Sequence, residues 1–166
     1  MVFVRVHSVK GYLSAEQKRE MGDRLIAAVA DAEGLYNSER HQQTSWIQYF
    51  ELDPENWYAP FTVGDTKAFL QADMIAPQDY VKSKEDARIA IEKVTAAIRD
   101  VIGDGLLPGR GPWVQLYVIP QGQWGMDGLV PDFEKARAYF AAETHDEAVR
   151  VLETVMGQRV DPSQVS

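Results

Sequence analysis

Residues 46–50 read Trp-Ile-Gln-Tyr-Phe and residues 113–117 read Trp-Val-Gln-Leu-Tyr, so one short segment occurs twice, 67 positions apart. The same offset pairs Trp57 with Trp124, near the end of the stretch that follows each copy. The chain contains only 4 tryptophans, so these matches are not expected by chance. Repetition at a fixed period indicates two copies of one unit, and both segments have the aromatic and β-branched content of a strand.

The stretches before these strands predict a strand and a helix in each copy. Residues 2–7 alternate between a valine face and a mixed face, and the offset places their apolar start on residues 69–71. Ser14 opens a capping-box pattern, and Ser83 offers a second helix start. Helical spacing predicts two buried stripes, namely Met21, Leu25, Ala28, Val29 and Ala32 in the first helix and Ala87, Ile91, Val94, Ile98 and Val101 in the second.

The fold prediction is α/β, with two β-α-β units forming one four-stranded mixed sheet and both helices on one face. We expect a single domain that consists of a first repeat at residues 1–64, a second repeat at residues 65–130 and a C-terminal helical extension at residues 131–166. Two short helices are predicted in the extension, at residues 131–142 and 144–156. The sheet face that the helices leave uncovered predicts assembly with other subunits.

Composition narrows the classes of function. The 166 residues carry a net charge of −8 with a pI near 4.9, and the 17 basic residues form no run that could follow a phosphate backbone. We therefore expect no nucleic-acid partner, and the lack of a membrane-length apolar stretch predicts no membrane partner. The chain has no cysteine, which removes thiol chemistry, and its 3 histidines lack ligand spacing, so no metal is expected. No signal peptide is recognisable, which favours the cytoplasm.

The order strand, helix, strand and hairpin, repeated once, resembles the tautomerase superfamily. Residues 13–18 (LSAEQK) and residues 50–57 (FELDPENW) are similar to that superfamily's first-helix start and following turn. The two-copy length, residues 113–120 (WVQLYVIP) and the glycine-rich residues 124–128 resemble the branch that contains cis-3-chloroacrylic acid dehalogenase. The resemblance implies a homotrimer, a small-molecule substrate or ligand, and chemistry without a cofactor.

The resemblance also implies positions for a site. The family's catalytic N-terminal proline corresponds to Val2, whose α-amine could act as a base if Met1 were removed. The glutamate that activates water in the family falls next to Asp127, which could replace it as an acid. The family's last-strand tyrosine corresponds to Gln115, and Gln115 and Trp124 are expected to contact the substrate.

Two residues of the first strand could compensate for family groups that this chain lacks. The family's substrate-binding arginines fall in residues 73–79, which contain no basic residue, and its first-helix histidine falls at Val29. Arg5 and His7 share one face of the first strand, where Arg5 could hold a carboxylate and His7 could exchange protons. The structural alternative is that Arg5 pairs with a carboxylate across the sheet or at a subunit interface, which is the commoner arrangement.

For the other polar and aromatic residues, the sequence context favours a structural interpretation. His41 and His145 stand alone in the sequence and are expected at the surface. Glu51 and Asp53 flank the first turn, where a solvated turn is favoured over a pair that activates water. The tryptophans could line an apolar pocket, but their symmetric repetition favours packing between copies and between subunits.

Three functions are compatible with the sequence. The first is a tautomerase-superfamily protein without the N-terminal proline, acting on a small keto–enol or unsaturated carboxylic acid with a changed set of groups. The second is a catalytically silent ligand-binding or structural member of the same fold. The third is a ferredoxin-like dimeric α/β barrel, which shares the duplicated pattern. N-terminal mass spectrometry separates the first two, and oligomeric mass separates a trimer from a dimer.

Overall fold

The computed structural model describes residues 2–35, 38–57, 69–103, 111–125 and 130–165, and the repeat boundary predicted after residue 64 lies outside them. The strands are β1 (Phe3–Val9), β2 (Trp46–Leu52), β3 (Leu70–Pro77) and β4 (Trp113–Ile119). The α-helices are α1 (Ala15–Ala32), α2 (Glu39–Gln43), α3 (Lys84–Ile102), α4 (Phe133–Ala141) and α5 (His145–Met156).

Within the described residues, the strands form one mixed sheet in the order β2-β1-β3-β4. β1 pairs with β2 and β3 with β4 in parallel, while the central strands β1 and β3 run antiparallel. Each long helix thus connects two neighbouring parallel strands, and α1 and α3 pack together on one face. This confirms the predicted fold class. The ferredoxin-like alternative is wrong, because that fold splits its β-α-β unit with an intervening strand.

Capping defines the start of both long helices. Ser14 Oγ accepts a hydrogen bond from the Gln17 N–H at 3.1 Å, and Gln17 Oε1 accepts one from the Ser14 N–H at 3.0 Å. Ser83 Oγ accepts from the Asp86 N–H at the start of α3. Just beyond α1, Gly34 has a φ of +69°, the left-handed conformation that ends many helices. These local signals were readable in the sequence.

The helices bury one face of the sheet and leave the other face open. The covered face is formed by buried side chains at the start and along the length of the central strands, namely Val2, Val4, Val6, Leu70, Ala72, Met74 and Ala76. Against it pack Met21, Leu25 and Val29 from α1 and Ala90, Val94, Ala97 and Ile98 from α3. The predicted stripes are therefore correct at Met21, Leu25, Val29, Val94 and Ile98. The other predicted positions, namely Ala28, Ala32, Ala87, Ile91 and Val101, are only partly buried.

Strand pairing corrects the repeat offset at the central strands. Phe3 pairs with Trp46, and Gln71 pairs with Trp113. The equivalent of Phe3 is therefore Gln71, at an offset of 68, and not Leu70 as the offset of 67 predicted. Leu70 is buried under the helices, whereas Phe3 lies on the open face beside Trp46. A slip of one residue exchanges the two faces of a strand, so only the pairing itself defines this register.

The two predicted C-terminal helices are present as α4 and α5, and α4 contacts the end of α1. Arg137 Nη2 donates to the Glu33 carbonyl at 2.7 Å, and Ser38 Oγ donates to the Phe140 carbonyl at 2.5 Å. Phe140 also meets His41 edge-on, and the His41 side chain is fully buried beside the Glu33 carboxylate. The expectation of a surface His41 is wrong, because the short helix α2 turns this residue inward beneath α4.

We expect the ionisation of Tyr49 to lower the stability of the fold at alkaline pH. Its hydroxyl donates to the Lys18 carbonyl at 2.5 Å, and burial, with a contribution from Asp23, raises its pKa from 10.0 to about 12. The folded state therefore holds the phenol proton more tightly than the unfolded state does. The resulting stabilisation is complete below pH 10 and is lost as the pH rises through about 12.

We expect the free energy of unfolding of Tyr49→Phe to fall less steeply than that of the parent chain over this range, as measured by urea denaturation. Burial also raises the pKa of Tyr80 and Tyr12, so the variant should retain part of the slope. Identical slopes for the parent and Tyr49→Phe would contradict the linkage.

Candidate functional site

The open face of the sheet carries a polar row between two largely aromatic rows. The polar row, read across the four strands, is Gln48, Arg5, Asp73 and Gln115. The flanking rows are Trp46, Phe3, Ile75 and Tyr117 on one side and Phe50, His7, Gln71 and Trp113 on the other. Charge, hydrogen-bonding groups and aromatic surface together are the usual composition of a small-molecule site.

A pocket of about 640 Å³, which we call the Arg5 pocket, opens where β1 and β2 begin. Phe3 forms its aromatic centre, stacked on Trp46 with ring centroids 4.8 Å apart and tilted against Trp124 at 4.9 Å. Trp124 in turn meets Phe133 of α4 edge-on, which holds it over the sheet. The Arg5 guanidinium lines the same pocket. A guanidinium offers a fork of N–H donors that matches both oxygens of a carboxylate.

Asp73 lies opposite Arg5 in the sheet but pairs with His7 instead. His7 Nε2 is 3.1 Å from Asp73 Oδ2, and Gln71 Nε2 donates to Asp73 Oδ1 at 2.8 Å. Among the described residues, no hydrogen bond or ion pair joins Arg5 to a carboxylate. His7 shares the open face with Arg5, as the sequence predicted, but it lines a different pocket. With respect to the described residues, Arg5 is therefore left available for a ligand.

The rest of the described lining of the Arg5 pocket is uncharged. Its polar groups are the side-chain amides of Gln43 and Gln123 and the hydroxyl of Thr44. None of these groups is basic enough to remove a proton from carbon near neutral pH. In its described part, the pocket is thus suited to binding an anion and offers no general base.

The structure separates the residues that the sequence put forward as a site. Arg5 and Trp124 meet in the Arg5 pocket. Val2 is buried on the opposite face, among the helices, so its side chain faces away from that pocket. Gln115 lies on the edge strand β4, where its Oε1 accepts a hydrogen bond from a neighbouring tyrosine, outside the pocket lining. Asp127 lies outside the described residues.

Sequence reasoning missed three residues of the open face. Phe3 and Ile75 line the Arg5 pocket, and Asp73 pairs with His7, which leaves Arg5 without a carboxylate partner among the described residues. The alternation in residues 2–7 already placed Phe3 on the face of Arg5, so this signal was available. The contribution of Asp73 depends on pairing between β1 and β3, for which the sequence carried no local signal.

The carboxylates at the first turn have structural partners. Glu51 Oε2 pairs with Lys18 Nζ at 2.8 Å, and Asp53 Oδ1 with Lys10 Nζ at 3.2 Å. The hydrogen bond from Lys18, followed by that from the Gly11 N–H, holds the pKa of Glu51 below its ordinary value. These contacts support the interpretation of a solvated turn rather than a water-activating pair.

Neither a metal centre nor a membrane span is visible in the described part of the chain. No three His, Asp or Glu side chains converge there in a way that could hold a metal ion. The helices among those residues are also too short or too polar to cross a membrane.

Solved structures share this fold. Protein N1, a member of the cis-3-chloroacrylic acid dehalogenase family, is 16% identical, with a TM-score of 0.65 over 91% of this chain and 99% of its own. A native fused 4-OT is 17% identical, with a TM-score of 0.63 over 77% of this chain and 94% of its own. Malonate semialdehyde decarboxylase is 15% identical, with a TM-score of 0.53 over 75% of this chain and 89% of its own.

No protein-family model and no curated protein sequence matches the chain. The N1 and fused 4-OT structures are tautomerase-superfamily members, so the resemblance predicted from the sequence is confirmed at the level of the fold. At these identities, the likeness is one of architecture.

Proposed function

We propose that this tautomerase-fold protein binds a small keto–enol or unsaturated carboxylic acid in the Arg5 pocket, without the N-terminal proline that the superfamily uses as a base. The observation that carries the proposal is Arg5, which lines one pocket with three aromatic rings and has no carboxylate partner among the described residues. Arg5 would hold the carboxylate, and the rings of Phe3, Trp46 and Trp124 would hold the apolar part of the ligand.

Catalysis at this pocket would need a base from outside its described lining. The proposed sources are the α-amine near Val2 and the carboxylate of Asp127. A retained Met1 would displace the amine by up to ~3.8 Å, which is too far for an inherited geometry. We therefore expect weak or absent tautomerisation of phenylpyruvate and 2-hydroxymuconate and no efficient hydration of a haloacrylate. A catalytically silent binding protein is the second candidate, and the lack of charge in the rest of the described lining favours it.

Arg5→Ala is expected to weaken the binding of phenylpyruvate by about 10- to 100-fold, because a hydrogen-bonded charge pair contributes about 1.5–3 kcal/mol. Isothermal titration calorimetry at low ionic strength measures this loss. Arg5→Lys should recover part of the affinity, since lysine keeps the charge but not the fork of donors.

The matched control is Arg19→Ala, which removes an exposed arginine from α1 on the other side of the sheet. This variant should bind phenylpyruvate like the parent chain.

If the parent shows residual tautomerase activity, Arg5→Ala and Asp127→Asn should each reduce it. A robust rate that survives both substitutions would place the site elsewhere.

The assembly we propose is a homotrimer. Phe50, Trp113 and Tyr117 expose large aromatic surface on the open face of the isolated chain, and burial of such a patch favours association. Two solved fused 4-OT structures of the same fold are described as trimers, one asymmetric and one symmetric. Light scattering at micromolar concentration should report the mass of three chains. A monomer or a dimer would contradict this assembly.

A further inference from the structure

A second pocket, which we call the His7 pocket, lies on the open face beyond the polar row. Its volume is about 280 Å³, and its lining consists of His7, Leu52, Asn56, Trp57 and Gln71. Every residue of this lining has an equivalent in the other repeat, and all five equivalents line the Arg5 pocket. Taken in the order just given, the equivalents are Ile75, Ile119, Gln123, Trp124 and Phe3. The duplication has therefore produced two pockets on one plan.

The two pockets differ in the charge beside them. Arg5 lines the first pocket, and its repeat equivalent is Asp73, which is bound to His7 in the wall of the second. In the tautomer of His7 that donates from Nε2 to the Asp73 carboxylate, Nδ1 is an acceptor. Gln71 uses its amide nitrogen on Asp73, so its amide oxygen is an acceptor too. The His7 pocket thus presents two acceptors beside a carboxylate.

The other described surroundings of the His7 pocket also suit a positive charge. Lys10, which follows β1, is paired with Asp53 and does not line the pocket. Trp57 contributes an aromatic ring, which stacks against Phe69 with ring centroids 6.2 Å apart. The face of an indole ring attracts cations through its quadrupole.

We propose that the His7 pocket binds a small organic cation that carries a primary ammonium group. The N–H donors of the ammonium match Nδ1 of His7 and the amide oxygen of Gln71, while Asp73 supplies the complementary charge. The ring of Trp57 packs against the organic part of the cation and its positive end. This site is separate from the carboxylic-acid site at Arg5 and does not depend on it.

The test titrates the full chain with benzylammonium at pH 8, where a histidine is ordinarily uncharged. The readout is the indole N–H resonances of Trp57 and Trp124 in two-dimensional NMR spectra. We expect saturable shifts at Trp57 without comparable shifts at Trp124. Benzyl alcohol and benzoate, which have the same ring, should bind at least about tenfold more weakly at Trp57.

Variants distinguish this proposal from the one at Arg5. Asp73→Asn should weaken benzylammonium binding about tenfold without weakening phenylpyruvate binding, and Arg5→Ala should do the reverse. If Asp73→Asn does not fold, Trp57→Leu removes the aromatic face and leaves the polar row intact, and it should also weaken benzylammonium binding. Equal affinity for benzyl alcohol and benzylammonium, or unchanged affinity in the folded variant, would overturn the proposal.

Discussion

Replacing His41 with alanine is expected to lower the free energy of unfolding by about 1–3 kcal/mol, the usual cost of leaving a buried polar group without its partner. His41 and Glu33 are both buried, and Nε2 of the imidazole lies against Oε2 of the carboxylate. Truncating the histidine leaves the carboxylate without this partner in a region that α4 shields from water. Urea denaturation followed by circular dichroism measures the loss.

His145→Ala is the matched control, because His145 is exposed at the start of α5 and its loss should change stability by no more than about 0.5 kcal/mol. The double variant Glu33→Ala/His41→Ala should lose less stability than the sum of the losses in its two single variants. The reason is that each single variant leaves the other residue buried without its partner. A small loss in His41→Ala, or strict additivity in the double variant, would show that the pair is not coupled.

Leu25→Ala should cost about 2–5 kcal/mol, because it deletes a fully buried side chain and leaves a cavity between α1 and the sheet. The neighbouring Arg24→Ala is its control. Arg24 pairs with Glu20 and Asp100 at the exposed surface, and such pairs contribute about 0–1 kcal/mol. Comparable losses in the two variants would mean that α1 does not bury the face described above.

The sequence predicted those parts of the fold that depend on neighbouring residues or on the internal repeat. The hydrogen bonds of Ser14 and Ser83 close within one helical turn, so the residue types alone revealed both helix starts. The repeated strand at Trp46 and Trp113 revealed the duplicated β-α-β architecture, because two similar units are expected to occupy equivalent places in the sheet. The repeat offset could not define which residue of β3 is equivalent to Phe3, since a shift of one residue exchanges the two faces of a strand.

Residues whose surroundings come from distant segments could not be predicted. His41 is buried because Phe140, about a hundred positions later, covers it, and no pattern near His41 encodes that contact. In the same way, Asp73 could have paired with either Arg5 or His7 on the opposing strand. That choice leaves Arg5 without a carboxylate partner among the described residues, and it depends on side-chain geometry across the sheet.

Arg5 and Asp73 face each other across the central strands while holding equivalent positions in their repeats, so they lie on the pseudo-twofold axis of the molecule. In a homodimer of single-copy chains, that axis would place each such residue opposite itself. Two arginines or two aspartates would then meet, and like charges directly opposite destabilise strand pairing. A fused chain, whose halves can mutate separately, is able to place a cation and an anion there. Duplication within one chain thus removes the constraint of self-pairing, and equivalent positions can carry opposite charges.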